Sequence, residues 1–134
     1  PELADRRITN PDAPRNDHWI EVQYGGTSVR AIPILYARTP KYDPKKGGEF
    51  FDYLQFRLAL VSPDAGPGSK ARFVDVREVQ GFFEQIGQNT DYIIHPEEIL
   101  AENFSLLFVE SSPVPTPAIP AAVLKAVQTA SRAQ

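Results

Sequence analysis

The chain has 134 residues and a formal net charge of −3 at neutral pH. Apolar residues make up 42% of it and charged residues 23%, a composition typical of globular domains that excludes a disordered or collagen-like chain. Cysteine is absent, which excludes disulfides and thiolate metal sites. No apolar run approaches the roughly 18 residues of a membrane span, and no signal-peptide pattern opens the chain, so we expect a soluble protein without a membrane span.

The net acidity argues against nucleic-acid binding, which usually needs a strong basic excess. One local basic patch remains a candidate, formed by Arg38, Lys41, Lys45 and Lys46. A solvated loop is the alternative, because Tyr42, Asp43 and Pro44 lie among these residues.

The first residue is Pro1 and the chain contains no methionine, so we expect it to be part of a longer protein whose N-terminal part is missing here. Residues 1–17 are polar and contain three prolines, which disfavour helices and strand pairing. They are predicted to form an extended arm or linker.

Residues 18–24 and 27–37 are predicted to form a hairpin, because Gly25 and Gly26 suit the positive φ angles of a tight turn. Pro33 cannot donate a ladder hydrogen bond, so we expect that part of the second strand to lie at an edge or a bulge.

Residues 53–61 show the alternation of a half-buried strand, with Leu54, Phe56, Leu58 and Leu60 on one face. Residues 71–76 are predicted to form a fourth, short strand. Helices are predicted at 77–86, ending at Gly87, from Pro96 to about Glu110, and at 120–132, after a proline-rich linker.

Strands grouped before helices predict an α+β fold. We expect an antiparallel sheet of three or four strands packed by two or three helices. The predicted organisation is an arm or linker at 1–17, an α+β domain at 18–110, and a proline-rich linker with a short C-terminal helix at 111–134.

The second predicted helix, which begins at Pro96, contains the residues that suggest a function. At 100° per residue, Glu98 and Glu102 share a narrow polar stripe, whereas apolar residues occupy most of the remaining circle, so we expect the helix to be buried nearly all round. A buried, unpaired carboxylate is costly, so a partner is expected: a metal, an arginine or a histidine. The alternative is a stripe that faces solvent or pairs with Arg57, Arg72 or Arg77.

The segment from Glu98 to Glu102, EILAE, resembles the E-x-x-A-D element of gluzincin-type zinc metallopeptidases, with Glu102 where the family usually has aspartate. The longer string YIIHPEEILAENF is similar to the tail of uncharacterised bacterial proteins whose upstream half carries an HExxH helix. The resemblance implies that Glu98 is the third zinc ligand and that Glu102 orients a zinc-bound histidine. His95 is a possible additional ligand, since it precedes Glu98 by three residues; the alternative is a residue just ahead of the helix start that hydrogen-bonds to the backbone.

This chain contains no HExxH, so two histidine ligands and the general base of such an enzyme are absent. The resemblance therefore implies the C-terminal portion of a zinc-dependent peptidase, inactive alone, that contributes one ligand and a wall of the peptide-substrate cleft. The competing hypothesis is a non-catalytic interaction domain. It would use an edge strand at Ile32 to Tyr36 for strand addition, or the proline-rich tail.

Four aromatic residues are further candidates for a binding groove, although sheets also use such residues for packing: Trp19, Tyr24, Tyr36 and Tyr53.

Overall fold

A computed structural model describes residues 4–11, 15, 17–62, 64, 70–109 and 113–132. The chain divides into two compact units, Pro1–Gln80 and Gly81–Gln134, whereas the sequence placed boundaries after residues 17 and 110. The strands lie in the first unit and the α-helices in the second, which confirms the α+β prediction.

The first unit contains an antiparallel sheet in the order β1-β3-β4-β5, with β2 also paired to β3. Its five strands are β1 (Arg7–Ile8), β2 (Ile20–Tyr24), β3 (Thr27–Ala37), β4 (Leu54–Val61) and β5 (Arg72–Val74). The sheet has one strand more than the upper predicted number. The addition is β1, which lies inside the predicted arm; residues 1–3, 12–14 and 16 of that arm lie outside the described residues.

The predicted hairpin is confirmed. Gly25 and Gly26 have φ angles of 56° and 79°, and they join β2 and β3 in a register that pairs Tyr24 with Thr27. The alternation in β4 is also confirmed, since Leu54, Leu58 and Leu60 are buried. Ala59 is buried as well, so the middle of β4 is covered on both faces.

β3 is the central strand of the sheet. β4 pairs with it from Arg30 to Ala37, while β2 and β1 pair with it on the other side, β1 at Leu35 and Tyr36. The predicted edge or bulge at Pro33 coincides with the change of partner strand from β2, which pairs with β3 up to Ala31, to β1, which pairs with it at Leu35 and Tyr36. Pro33 lies opposite Leu58 of β4.

The second unit contains α1 (Phe82–Ile86), α2 (Pro96–Ser105) and α3 (Ala118–Arg132). The helix predicted from residue 77 begins only at Phe82. Gln80 exchanges two backbone hydrogen bonds with Gln23, of 2.9 and 3.0 Å, and this bridge holds the preceding segment in extended form. Residues Val76–Glu78 form a 3₁₀ turn instead.

The start of α2 at Pro96 and the helix end at Gly87 are confirmed. α2 stops at Ser105, earlier than predicted, and Glu110 lies outside the described residues. α3 begins two residues before the predicted start. None of the helices in the described ranges is long and apolar enough to cross a membrane.

An amide network fastens the proline-rich segment within the second unit. The Asn89 side chain donates to Asn103 Oδ1 (2.9 Å) and to the Thr116 carbonyl (2.8 Å), and it accepts from the Thr116 N–H (2.7 Å). The N–H of Gln88 donates to Thr116 Oγ1 at 3.1 Å. The segment around Thr116 is therefore held by side-chain hydrogen bonds in front of α3.

Candidate functional site

The structure places the two predicted metal-site glutamates in different environments. Glu98 is half-buried in the first turn of α2, and Glu102, one turn later, is exposed. The buried face of α2 consists of Ile99 and Asn103, while Leu100 is 55% exposed. The expectation of a helix buried nearly all round is wrong, because α2 packs on one face and its buried polar residue is an asparagine that hydrogen-bonds to its neighbours.

His95 occupies the N-cap position of α2 and is only 7% exposed. Its Nδ1 lies 2.6 Å from Glu97 Oε2, but the two atoms do not form a regular hydrogen bond. The His95 carbonyl also accepts the Ile99 N–H at 3.2 Å.

Each unit contains an imidazole beside a carboxylate, and first-row metals accept both donor types. In the first unit His18 Nε2 lies 3.8 Å from Asp17 Oδ1, and in the second His95 approaches Glu97. Within the described residues, however, His95, Glu98 and Glu102 do not bring three ligand atoms within 4.8 Å of one another. A catalytic zinc needs about three protein ligands, so these three residues alone do not fit it.

The arginines considered as partners for the acidic pair have partners in their own unit. Arg57 Nη1 lies 3.1 Å from Asp75 Oδ2, and Arg77 Nε lies 2.9 Å from Asp75 Oδ1. Hydrogen bonds from the Arg77 side chain and N–H, with the charges of both arginines, hold the pKa of Asp75 at about 2. The Arg72 guanidinium lies 5.0 Å from the centre of the Tyr24 ring.

A pocket of about 390 Å³ lies in the first unit where β3 ends and β4 begins. We call it the aromatic pocket, and its lining residues are Ile8, Ala37, Thr39, Tyr42, Phe50, Tyr53 and Leu54. The lining combines residues of three strands with residues of the connection between β3 and β4. The sheet thus supplies fixed walls, and the connection supplies the aromatic rings.

Local hydrogen bonds shape this connection. Asp43 Oδ1 accepts the Lys45 N–H at 3.0 Å and so caps the 3₁₀ turn Pro44–Lys46. Asp52 Oδ2 accepts the Glu49 N–H at 2.8 Å at the start of the next 3₁₀ turn, Phe50–Tyr53. Two short capped turns therefore bring Tyr42 and Phe50 to the pocket.

Tyr53 stabilises the connection between β3 and β4 beside the pocket. Its hydroxyl donates to the Gly47 carbonyl and lies 3.3 Å from the Asp43 carbonyl oxygen. Burial raises the pKa of Tyr53, and so do the neighbouring Tyr42, Asp43 and Asp52. The phenol therefore stays protonated and keeps its role as a donor.

The remaining rings of this region are open to solvent. Tyr42 packs edge-on against Tyr53, with ring centroids 4.8 Å apart, yet it is 65% exposed. Phe50 is 61% exposed and its neighbour Phe51 is 59% exposed. Large aromatic side chains left this accessible beside a pocket are typical of binding surfaces.

Of the four aromatic residues proposed from the sequence, only Tyr53 lines the aromatic pocket. Tyr24 lines a second, more polar cavity of about 430 Å³ with Arg72, and the Arg30 guanidinium lies 4.4 Å from the centre of the Trp19 ring. Sequence reasoning missed Tyr42 and Phe50. Their position in a turn-rich connection could have indicated a binding role, because aromatic residues there are not explained by packing between strands.

Comparison of the chain with protein-family models, curated proteins and solved structures found no match.

Proposed function

We propose that this chain is a non-catalytic interaction domain that binds an extended segment of a partner protein in the aromatic pocket. The observation that carries the proposal is an apolar pocket of about 390 Å³ bordered by aromatic rings that are more than half exposed. Its volume lies in the range of about 300 to 1,000 Å³ that is usual for ligand sites. An apolar side chain of the partner would occupy the pocket.

The chemistry of the lining supports binding rather than catalysis. The polar side-chain atoms of the lining residues are the hydroxyls of Thr39, Tyr42 and Tyr53, and these residues include no carboxylate, imidazole or amine. The Tyr53 hydroxyl is engaged with the Gly47 carbonyl, and its raised pKa makes it a poor general base. The pocket thus offers apolar contact and orientation.

Strand pairing argues for recognition by side chains. The edge strand expected at Ile32 to Tyr36 is part of the central strand, paired with β4 along its length and with β1 at Leu35 and Tyr36. Strand addition at this segment is therefore not the mechanism we propose. The proline-rich tail is a weaker candidate than the pocket, because Thr116 is hydrogen-bonded to Gln88 and Asn89.

Zinc peptidase chemistry remains a separate prediction. It requires further ligands, since His95, Glu98 and Glu102 do not form a site by themselves. We therefore derive no catalytic step through zinc.

The proposal can be tested by selecting a phage-displayed library of random peptides on the full chain and measuring the selected peptides by fluorescence anisotropy. Tyr42→Ser and Phe50→Ser each remove an exposed ring and should weaken binding by at least about tenfold, as expected for an aromatic anchor. Phe73→Ser is the matched control, because Phe73 is an exposed aromatic residue in β5 and does not line the pocket.

Denaturation of each variant checks that folding is retained. Failure to select any peptide would contradict the proposal, as would peptides that bind Phe50→Ser and the original chain equally well.

A further inference from the structure

We propose that the segment that binds in the aromatic pocket is acidic, with aspartate or glutamate residues flanking its apolar anchor. This inference rests on the proposed function, and it adds the chemistry of the partner. It comes from the distribution of charge around the pocket.

Basic residues are concentrated on both chain segments that form the pocket. Arg6 and Arg7 directly precede the lining residue Ile8, and the connection at residues 38–53 carries four basic residues: Arg38, Lys41, Lys45 and Lys46. The nearby carboxylates are fewer, namely Asp5, Asp43, Glu49 and Asp52. The pocket therefore has a local positive excess in a chain whose net charge is −3.

The carboxylates of the connection also have local roles. Asp43 caps one 3₁₀ turn, and Asp52 accepts the Glu49 N–H at the start of the next. By contrast, within the described residues no carboxylate oxygen lies within 4.0 Å of the ammonium groups of Lys41, Lys45 or Lys46. These lysines thus remain available to an external anion.

The apolar lining of the pocket favours an acidic peptide over a single-stranded nucleic acid. A nucleic acid would also use lysines and aromatic rings, but bases stack on open ring faces along a basic groove. Here Ile8, Ala37 and Leu54 line the pocket together with the rings, which suits an aliphatic or aromatic side chain. The acidity of the rest of the chain also repels a long polyanion.

The experiment compares the composition and salt sensitivity of the peptides selected on the full chain. We expect aspartate and glutamate to be enriched over the starting library. Replacing them in one selected peptide by asparagine and glutamine should weaken binding by about tenfold, in keeping with a few partly screened ion pairs. The same loss should follow in the triple variant Lys41→Glu, Lys45→Glu, Lys46→Glu, whereas Lys125→Glu in α3 is the control and should bind normally.

The outcomes separate the two proposals. Peptides that need Tyr42 and Phe50 but show no acidic enrichment and no salt dependence would overturn the acidic partner and leave the interaction domain standing. Absence of any pocket-dependent peptide would overturn both. Tighter binding of fluorescein-labelled oligothymidine than of the selected peptides would replace the acidic peptide with a nucleic acid. If the triple variant folds poorly, the effect of salt on peptide binding by the original chain still tests the contribution of charge.

Discussion

Replacing Gly87 by alanine should destabilise the second unit for two separable reasons. Gly87 has φ 76° and ψ −170°, a backbone conformation that is essentially restricted to glycine. A Cβ atom there would also lie 2.8 Å from Ile119 Cγ1 and 3.1 Å from Thr116 Cβ. Both neighbours are held, Thr116 by Asn89 and Ile119 at the start of α3, so the new methyl group must displace packed structure.

The chain contains a matched control at Gly47, which has φ 61° and ψ −167° but nothing within 4 Å of its added Cβ. The backbone strain of about 1 to 3 kcal/mol applies to both positions. Overpacking adds about 1 to 3 kcal/mol at Gly87 alone. We therefore expect Gly87→Ala to exceed Gly47→Ala by about 1 to 3 kcal/mol of local unfolding free energy.

Amide hydrogen exchange is the appropriate assay, because it reports each unit separately. The amides of α1 and α3 should lose protection in Gly87→Ala, while those of β4 report on Gly47→Ala. Adding Ile119→Ala should relieve part of the effect of Gly87→Ala, seen as a coupling between the two substitutions. Equal losses at Gly87 and Gly47, with no coupling to Ile119, would refute the packing argument.

Three further predictions concern ionisable and amide groups. The pKa of Asp75, about 2, lies below the ordinary 3.8, so the contribution of Asp75 to stability is present above pH 3.8 and is lost as the pH falls toward 2. In urea denaturation at neutral pH, Asp75→Asn should lower the free energy of unfolding by roughly 1 kcal/mol relative to the control Asp64→Asn, after allowing for screening of the exposed guanidinium. Identical dependence of stability on pH in the two variants would contradict this. Asn89→Ala removes three side-chain hydrogen bonds and should lower the protection of α3 by about 2 to 3 kcal/mol, so unchanged exchange would show that the network is dispensable. If Glu98 is a zinc ligand in a protein that contains this chain, Glu98→Gln should lower the zinc content of that protein while Glu102→Gln changes it less. An unchanged zinc stoichiometry would remove Glu98 from the site.

The strands could be predicted wherever one local signal determined them. The Gly25-Gly26 step determined the hairpin, and the alternation from Leu54 to Leu60 determined β4, because both patterns act over a few neighbouring residues. The start of α2 at Pro96 is equally local.

The errors arose where distant partners decide the structure. Arg7 and Ile8 form a strand only because they pair with Tyr36 and Leu35, and nothing within residues 1–17 indicates that pairing. The bridge between Gln23 and Gln80 delays α1 in the same way. In α2 the buried polar residue is Asn103, since Asn89 satisfies its amide, and periodicity alone cannot reveal such a partner.

The candidate site also depends on pairing between strands that are distant in the sequence. Because β3 is paired on both sides at Leu35 and Tyr36, a partner cannot bind there through backbone ladder hydrogen bonds. We therefore expect recognition at this end of the sheet to come from side chains, among them the exposed rings of Tyr42 and Phe50. Rings on short capped turns provide apolar contact area with little loss of conformational freedom on binding. Affinity should therefore depend on these rings, while the surrounding lysines select among partners by charge.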